Sequence, residues 1–167
     1  SAAGDDAPNA ADARDGMAIN AKIYFNDGGG GPDAGILTPL DLNDLYIIPY
    51  TGNSGGAARI STNSWGNPVT GAYDIHSMTA DQFMWSHPDF LLFYSNGNNV
   101  SVNQVGSPAT AKSVVSAGGT GNGTGSNTIY SSTSRGPTDD GRFKPTICAP
   151  ATLASANGSR NTAYVTL

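Results

Sequence analysis

Charge is scarce in this chain: only 13% of its 167 residues are Asp, Glu, Lys or Arg. The eight basic residues lie scattered against thirteen acidic ones, giving a formal net charge of −5. Affinity for nucleic acid depends on clustered Lys and Arg, so nucleic acid is excluded as a partner. Cysteine is scarcer still. Cys148 is alone, which excludes an internal disulfide. It stands in the apolar run Ile147-Cys148-Ala149 with no His, Lys or Arg close by to lower its pKa, and is expected to be buried as a small hydrophobe. No apolar run approaches the roughly 18 residues of a membrane span. No span, and no charged-then-apolar leader, is expected.

Glycine, by contrast, is plentiful at 22 residues, so turns must be frequent in a chain whose length suits one domain. Ser1 to Gly16 is rich in Ala, Asp and Gly and reads as a loop or frayed end. Ala21 to Phe25 is a β-prone run stopped by Asn26-Asp27 and four glycines. Thr38-Pro39 predicts a helix start, with Leu42, Leu45 and Ile48 at helical spacing and Pro49 and Gly52 ending it. Ala58 to Asn63 predicts a strand. Thr79-x-x-Gln82 reads as a capping box opening a second helix, closed at His87-Pro88. Phe90 to Tyr94 is apolar throughout, as in a parallel strand buried on both faces, and Ser113 to Ala117 is a further strand. This alternation predicts an α/β fold of three layers, a mostly parallel sheet flanked by helices, with no internal domain boundary.

Three motifs compete for function. Gly29-x-Gly31-x-x-Ala34 has the strand-then-helix context of a dinucleotide fingerprint, which keeps a nucleotide-binding α/β domain among the alternatives. Asp27 and Asp33 would set carboxylates beside a pyrophosphate, and Thr38 starts the helix too far along. Gly52-x-Ser54-x-Gly56 has nucleophile-elbow spacing, but a helix precedes it and a strand follows, the reverse of what the elbow needs. It reads instead as a helix C-terminal turn. The third motif is a pair. Asn63-Ser64-Trp65-Gly66 ends one strand, and Ser95-Asn96-Gly97-Asn98 ends the next. Ligand sites in parallel sheets collect at carboxyl ends, so these small polar residues would frame a groove admitting extended backbone.

A series of strings in order carries a resemblance. Gly16-Met17-Ala18 through Ile23, Asn63 to Gly66, Phe93 to Asn98, and Ser107-Pro108-Ala109-Thr110-Ala111-Lys112 with Val114 to Gly118 each match a segment of one family. The most specific is Ser134-Arg135-Gly136-Pro137-Thr138-Asp139-Asp140-Gly141-Arg142-Phe143-Lys144-Pro145, followed by Ala149-Pro150-Ala151-Thr152. Together they resemble the subtilisin-like serine proteases, and most closely the large bacterial alkaline subtilases. The resemblance places residues 1–167 in the central part of a single catalytic domain.

The resemblance implies a serine endopeptidase working by acyl transfer on a peptide or protein substrate, secreted, with no cofactor for catalysis and with structural calcium admitted. It implies the catalytic oxyanion role for Asn98. It implies pairing of substrate backbone with Asn63, Ser64, Trp65 and Gly66, and a pocket lined by Ser95, Asn96 and Gly97. Trp65 would form an apolar wall beside the outer subsites. The family's Asp, His and Ser segments are expected outside this chain, as partner segments of the same domain, and His76 and His87 stand where it has no catalytic His. Alone, the chain is expected to be inactive. An inactive binding module of the same fold is the second alternative. Asn96, Thr146 and Ala151 depart from the family's usual Ala, Asp and Gly. By resemblance Pro108 is a candidate cis proline, and the sequons at Asn99, Asn122 and Asn157 would matter in a glycosylating host.

Overall fold

The computed structural model describes residues 16–26, 28–29 and 35–151, together with the backbone of 154–156 and 164–166. Most of the expectation for residues 1–16 therefore lies outside the described residues, as do Ala34 and Asn157. The chain divides into two compact units, Ser1–Asn26 with Ala151–Leu167, and Asp27–Pro150. In the first, strands β5 (Ala154–Ala156) and β6 (Tyr164–Thr166) pair antiparallel.

The second unit holds the main sheet. Strands β1 (Ile60–Asn63), β2 (Leu91–Ser95), β3 (Val115–Thr120) and β4 (Ile147–Pro150) lie in the order β1-β2-β3-β4, parallel throughout. Helices α1 (Asn43–Thr51) and α2 (Ile75–Ser86) cover one face. The core there is Leu42 and Tyr46 from the α1 segment, Ala80 and Phe83 from α2, and Phe90, Leu92 and Tyr94 around β2. Phe83 meets the rings of Tyr46 and Phe90 at 5.2 Å each, in tilted and edge-on contacts that add to simple area burial.

Several expectations shift in register. Ala21 to Phe25 forms no strand; no described strand pairs with it, and Phe25 is 82% exposed. Helix α1 begins five residues after Thr38: its N-cap is Leu42, which makes no side-chain capping bond, and the Asp41 carboxylate just before it accepts from Asn43 N at 2.9 Å. Its buried positions are Leu42, Tyr46 and Pro49 in place of Leu42, Leu45 and Ile48. The Tyr46 hydroxyl fixes that rotation by bonding Tyr94 OH in the core. Pro49 lies inside the last turn, and Gly52, at φ 76°, ends the helix. Gly52 to Gly56 is the expected C-terminal turn, with Asn53 and Gly56 bonding each other.

Helix α2 likewise opens earlier than the capping box predicts. Its N-cap is Asp74, whose carboxylate accepts from Ser77 N at 3.0 Å. Thr79 is buried inside the helix, where its hydroxyl accepts from Leu42 N and ties α2 to α1. His87 closes the helix as predicted, stacked on Phe83 and hydrogen bonded through Nδ1 to Phe83 O. β2 is buried on one face only: Leu92 and Tyr94 point into the core, while Leu91 and Ser95 are exposed. Cys148 is exposed as well, contrary to expectation, since β4 is an edge strand whose residues all remain accessible.

Candidate functional site at the carboxyl ends of β1 and β2

Parallel register sets Asn63, the last residue of β1, beside Tyr94, the penultimate residue of β2. The segments that leave the two strands, 64–66 and 96–98, therefore start side by side. Asn63 fastens the junction, donating through Nδ2 to Phe93 O at 3.2 Å and to Ser61 Oγ at 3.0 Å. Trp65 is half-buried and meets the Tyr94 ring edge-to-face at 5.1 Å, so it packs on the core. Ser64 and Gly66 are exposed. No backbone hydrogen bond among the described residues uses Ser64, Trp65 or Gly66. That leaves a short open main-chain edge.

The edge is held from its far end. Asn67 and Ser107 exchange backbone bonds of 2.8 and 3.0 Å, and the Ser107–Pro108 peptide is cis. Gly66 is required at this crossing, because a Cβ there would stand 2.7 Å from Ser107 O. Ser107 is in turn bonded to Asp74 and, through its hydroxyl, to Ser77, which reaches Thr110 at 2.7 Å. The N-terminus of α2 is thereby tied to the segment facing the open edge. Asn67 also donates through Nδ2 to Nδ1 of His76 at 2.9 Å, so that histidine braces the same turn.

On the β2 side, Ser95 and Asn98 are exposed, and the Asn98 side chain makes no hydrogen bond to a described residue. Gly97 adopts φ 104°, the left-handed region that favours glycine. Asn96 is 1% exposed: Nδ2 donates to Ser134 O at 2.6 Å, while Oδ1 is buried without a partner. Its side chain thus lies beneath the loop. Sequence reasoning assigned no role to Ser134, Asp74 or Ser107. The string from Ser134 to Pro145 marked Ser134 only as part of a recognisable segment.

The arrangement offers an unpaired backbone edge and a free amide in one neighbourhood, which is what recognition of an extended peptide and stabilisation of a developing oxyanion require. No group of three or more His, Cys, Asp or Glu among the described residues is placed to hold a metal ion. No helix of the described residues is long and apolar enough to cross a membrane.

Known proteins match this architecture. The chain is 35% identical over 108 residues to the serine protease/ABC transporter B family protein tagD of Dictyostelium discoideum, a stretch covering 62% of this chain and 6% of that protein. The related tagA of the same organism is 33% identical over 86 residues, covering 52% and 5%. The chain thus spans only about one-twentieth of the length of these relatives. Among solved structures, the prenylagaramide maturation protease PagA superposes with a TM-score of 0.55 at 18% identity, over 81% of this chain and 45% of that one. Sphericase does so at 0.51 and 21%, over 65% and 36%. These two likenesses support the fold, an α/β domain built on a parallel sheet. A model of the subtilase family matches residues 1–167, and the chain belongs to that family of serine proteases.

Proposed function

We propose that this chain forms the substrate-binding and oxyanion-stabilising part of a serine endopeptidase acting on peptide or protein outside the cell. Asn98 donates its side-chain amide to the oxyanion. Ser64, Trp65 and Gly66, following Asn63, pair with an extended substrate as an added strand does. Ser95 and Gly97 border the pocket for the residue before the scissile bond, with Asn96 supporting it from beneath. The Asp, His and Ser of the triad come from sequence outside these residues: the serine attacks, the histidine carries its proton to the leaving amine, and the aspartate orients the histidine. Acyl transfer of this kind needs no cofactor.

One observation carries the reading: an unpaired main-chain edge at 64–66 and an unbonded Asn98 amide flank the carboxyl ends of adjacent parallel strands. The test is Asn98→Leu in the complete catalytic domain. The leucine keeps the shape and removes the donor, so kcat falls by roughly 10²–10³, about 3–4 kcal/mol, with little change in KM. That magnitude is carried over from the oxyanion asparagine of subtilisin. Near wild-type turnover in Asn98→Leu, with turnover abolished by Asn96→Ala, would move the oxyanion role to Asn96. A complete domain that takes up no serine-directed inhibitor and hydrolyses nothing would be the inactive binding module instead.

A further inference from the structure

Asn98 is unbonded, yet an oxyanion donor works only if it is already aimed before the charge develops. Its aim must come from its neighbours in the chain, and these converge on one buried side chain. Ser134 is 0% exposed. Its N–H donates to Gly97 O at 3.0 Å, immediately before Asn98. Its Oγ accepts from Asn99 N at 2.9 Å, immediately after. Its carbonyl accepts from Asn96 Nδ2 at 2.6 Å. All three polar groups of one residue are thus spent on the residues flanking Asn98. The approach is also sterically closed: a Cβ on Gly97 would lie 2.8 Å from Ser134 Oγ.

The brace is itself anchored. Thr133 Oγ1 accepts from Gly119 N at 3.0 Å and donates to Gly119 O at 3.2 Å, which fixes the segment to β3. Arg135 continues the attachment, its carbonyl accepting from Gln104 N at 3.0 Å and its N–H donating to Ser101 O at 3.3 Å. The loop from 96 to 99 is therefore clamped to the sheet through Ser134, and Asn98 is the residue left free at its crest. We propose that Ser134 is a positioning residue for the oxyanion donor, acting on the transition state through Asn98 without touching substrate. The inference rests on the oxyanion assignment of Asn98.

Ser134→Ala in the complete domain removes the acceptor for Asn99 N. Hydrogen exchange of the Asn99 amide then accelerates at least tenfold, kcat falls about tenfold and KM stays within twofold. In an Asn98→Leu background the same substitution costs less than a further twofold, because the donor it aims is already gone. If Ser134→Ala does not fold, Ser134→Cys, nearly isosteric and a poor acceptor, gives the same readings. Unchanged exchange at Asn99 overturns the brace. An equal loss of kcat in both backgrounds overturns the positioning role, since a merely structural serine would behave that way. Full turnover in Asn98→Leu alone rejects the oxyanion assignment and with it the positioning role, while exchange at Asn99 still decides whether the brace exists.

Discussion

Lys144 is buried at the junction of β3 and β4, where Nζ donates to Val114 O at 3.0 Å. No carboxylate among the described residues forms a salt bridge with it. Burial, reinforced by the charge of Arg142, pushes its pKa down to about 8. The sign follows from linkage. Between pH 8 and the unfolded value of 10.5 the folded chain holds fewer protons than the unfolded one, so stability rises with pH across that window and is lowest below it. Lys144→Met removes the slope. Its stability relative to wild type should be greatest below pH 8 and should decline by on the order of 2–3 kcal/mol by pH 10.5. Burial raises the Tyr46 and Tyr94 phenols, which lowers stability above pH 10, but equally in both proteins, so the difference isolates Lys144. Denaturant unfolding of the complete domain at pH 7.5 and pH 10 measures it. Parallel curves for the two proteins would reject the assignment.

At the scale of elements, α2 does more than cover the sheet. Asp74 caps it and also accepts from Ser107, whose backbone pairs with Asn67 at the end of the open edge. Asp74→Ala should cost roughly 2–4 kcal/mol, a lost cap plus a lost charge-assisted bond. KM should rise, because the 64–66 edge loses the support that reaches it through Ser107. Asp74→Asn keeps an acceptor oxygen and should cost less. Urea unfolding with peptide kinetics checks both, and a loss under ~0.5 kcal/mol for Asp74→Ala would be that of an ordinary surface site. This link shows why the sequence was legible only in part. The strands at 58–63, 90–94 and 113–117 could be placed, unlike that expected at 21–25, because runs such as Phe90 to Tyr94 announce themselves locally, and the candidate site was chosen because two strings of small polar residues end consecutive strands. Helix starts went astray at Thr38 and Thr79 because nearby carboxylates compete with them locally, Asp41 bonding Asn43 N and Asp74 capping α2, while the Thr79 hydroxyl is drawn into the contact with Leu42 N. The supports of the site lie further off still. Asn96 and Ser134 are 38 residues apart, Asp74 and Ser107 33, and Tyr46 and Tyr94 48. No periodicity or spacing rule encodes a hydroxyl that meets its partner only after the chain has crossed the sheet.

For the whole molecule, the two faces of the main sheet are unequal. Leu92 and Tyr94 lie under the helices, but the alternate residues form a second apolar face: Ile60 is 63% exposed, Ile147 46% and Leu91 36%, with Phe93 and Val115 half-buried beside them. Parallel sheets are characteristically covered on both faces, since their connections place helices on each. An apolar face of this extent left in water favours association or loose packing. The chain of 167 residues expressed by itself should therefore bind a hydrophobic dye and unfold with low cooperativity. It should also hydrolyse no peptide, because under the proposed function the open edge and Asn98 would bind and stabilise but supply neither nucleophile nor base, and loss of even one triad member is severe. The measurements are dye fluorescence, a denaturant titration, and turnover of an unstructured protein substrate with and without a serine-directed inhibitor. Inhibitor-sensitive turnover by the purified chain would place a working nucleophile within these residues and overturn the division of labour proposed for the site. A monomer with sharp two-state unfolding and no dye binding would show the open face to be stable in water, leaving only the missing chemistry to explain inactivity.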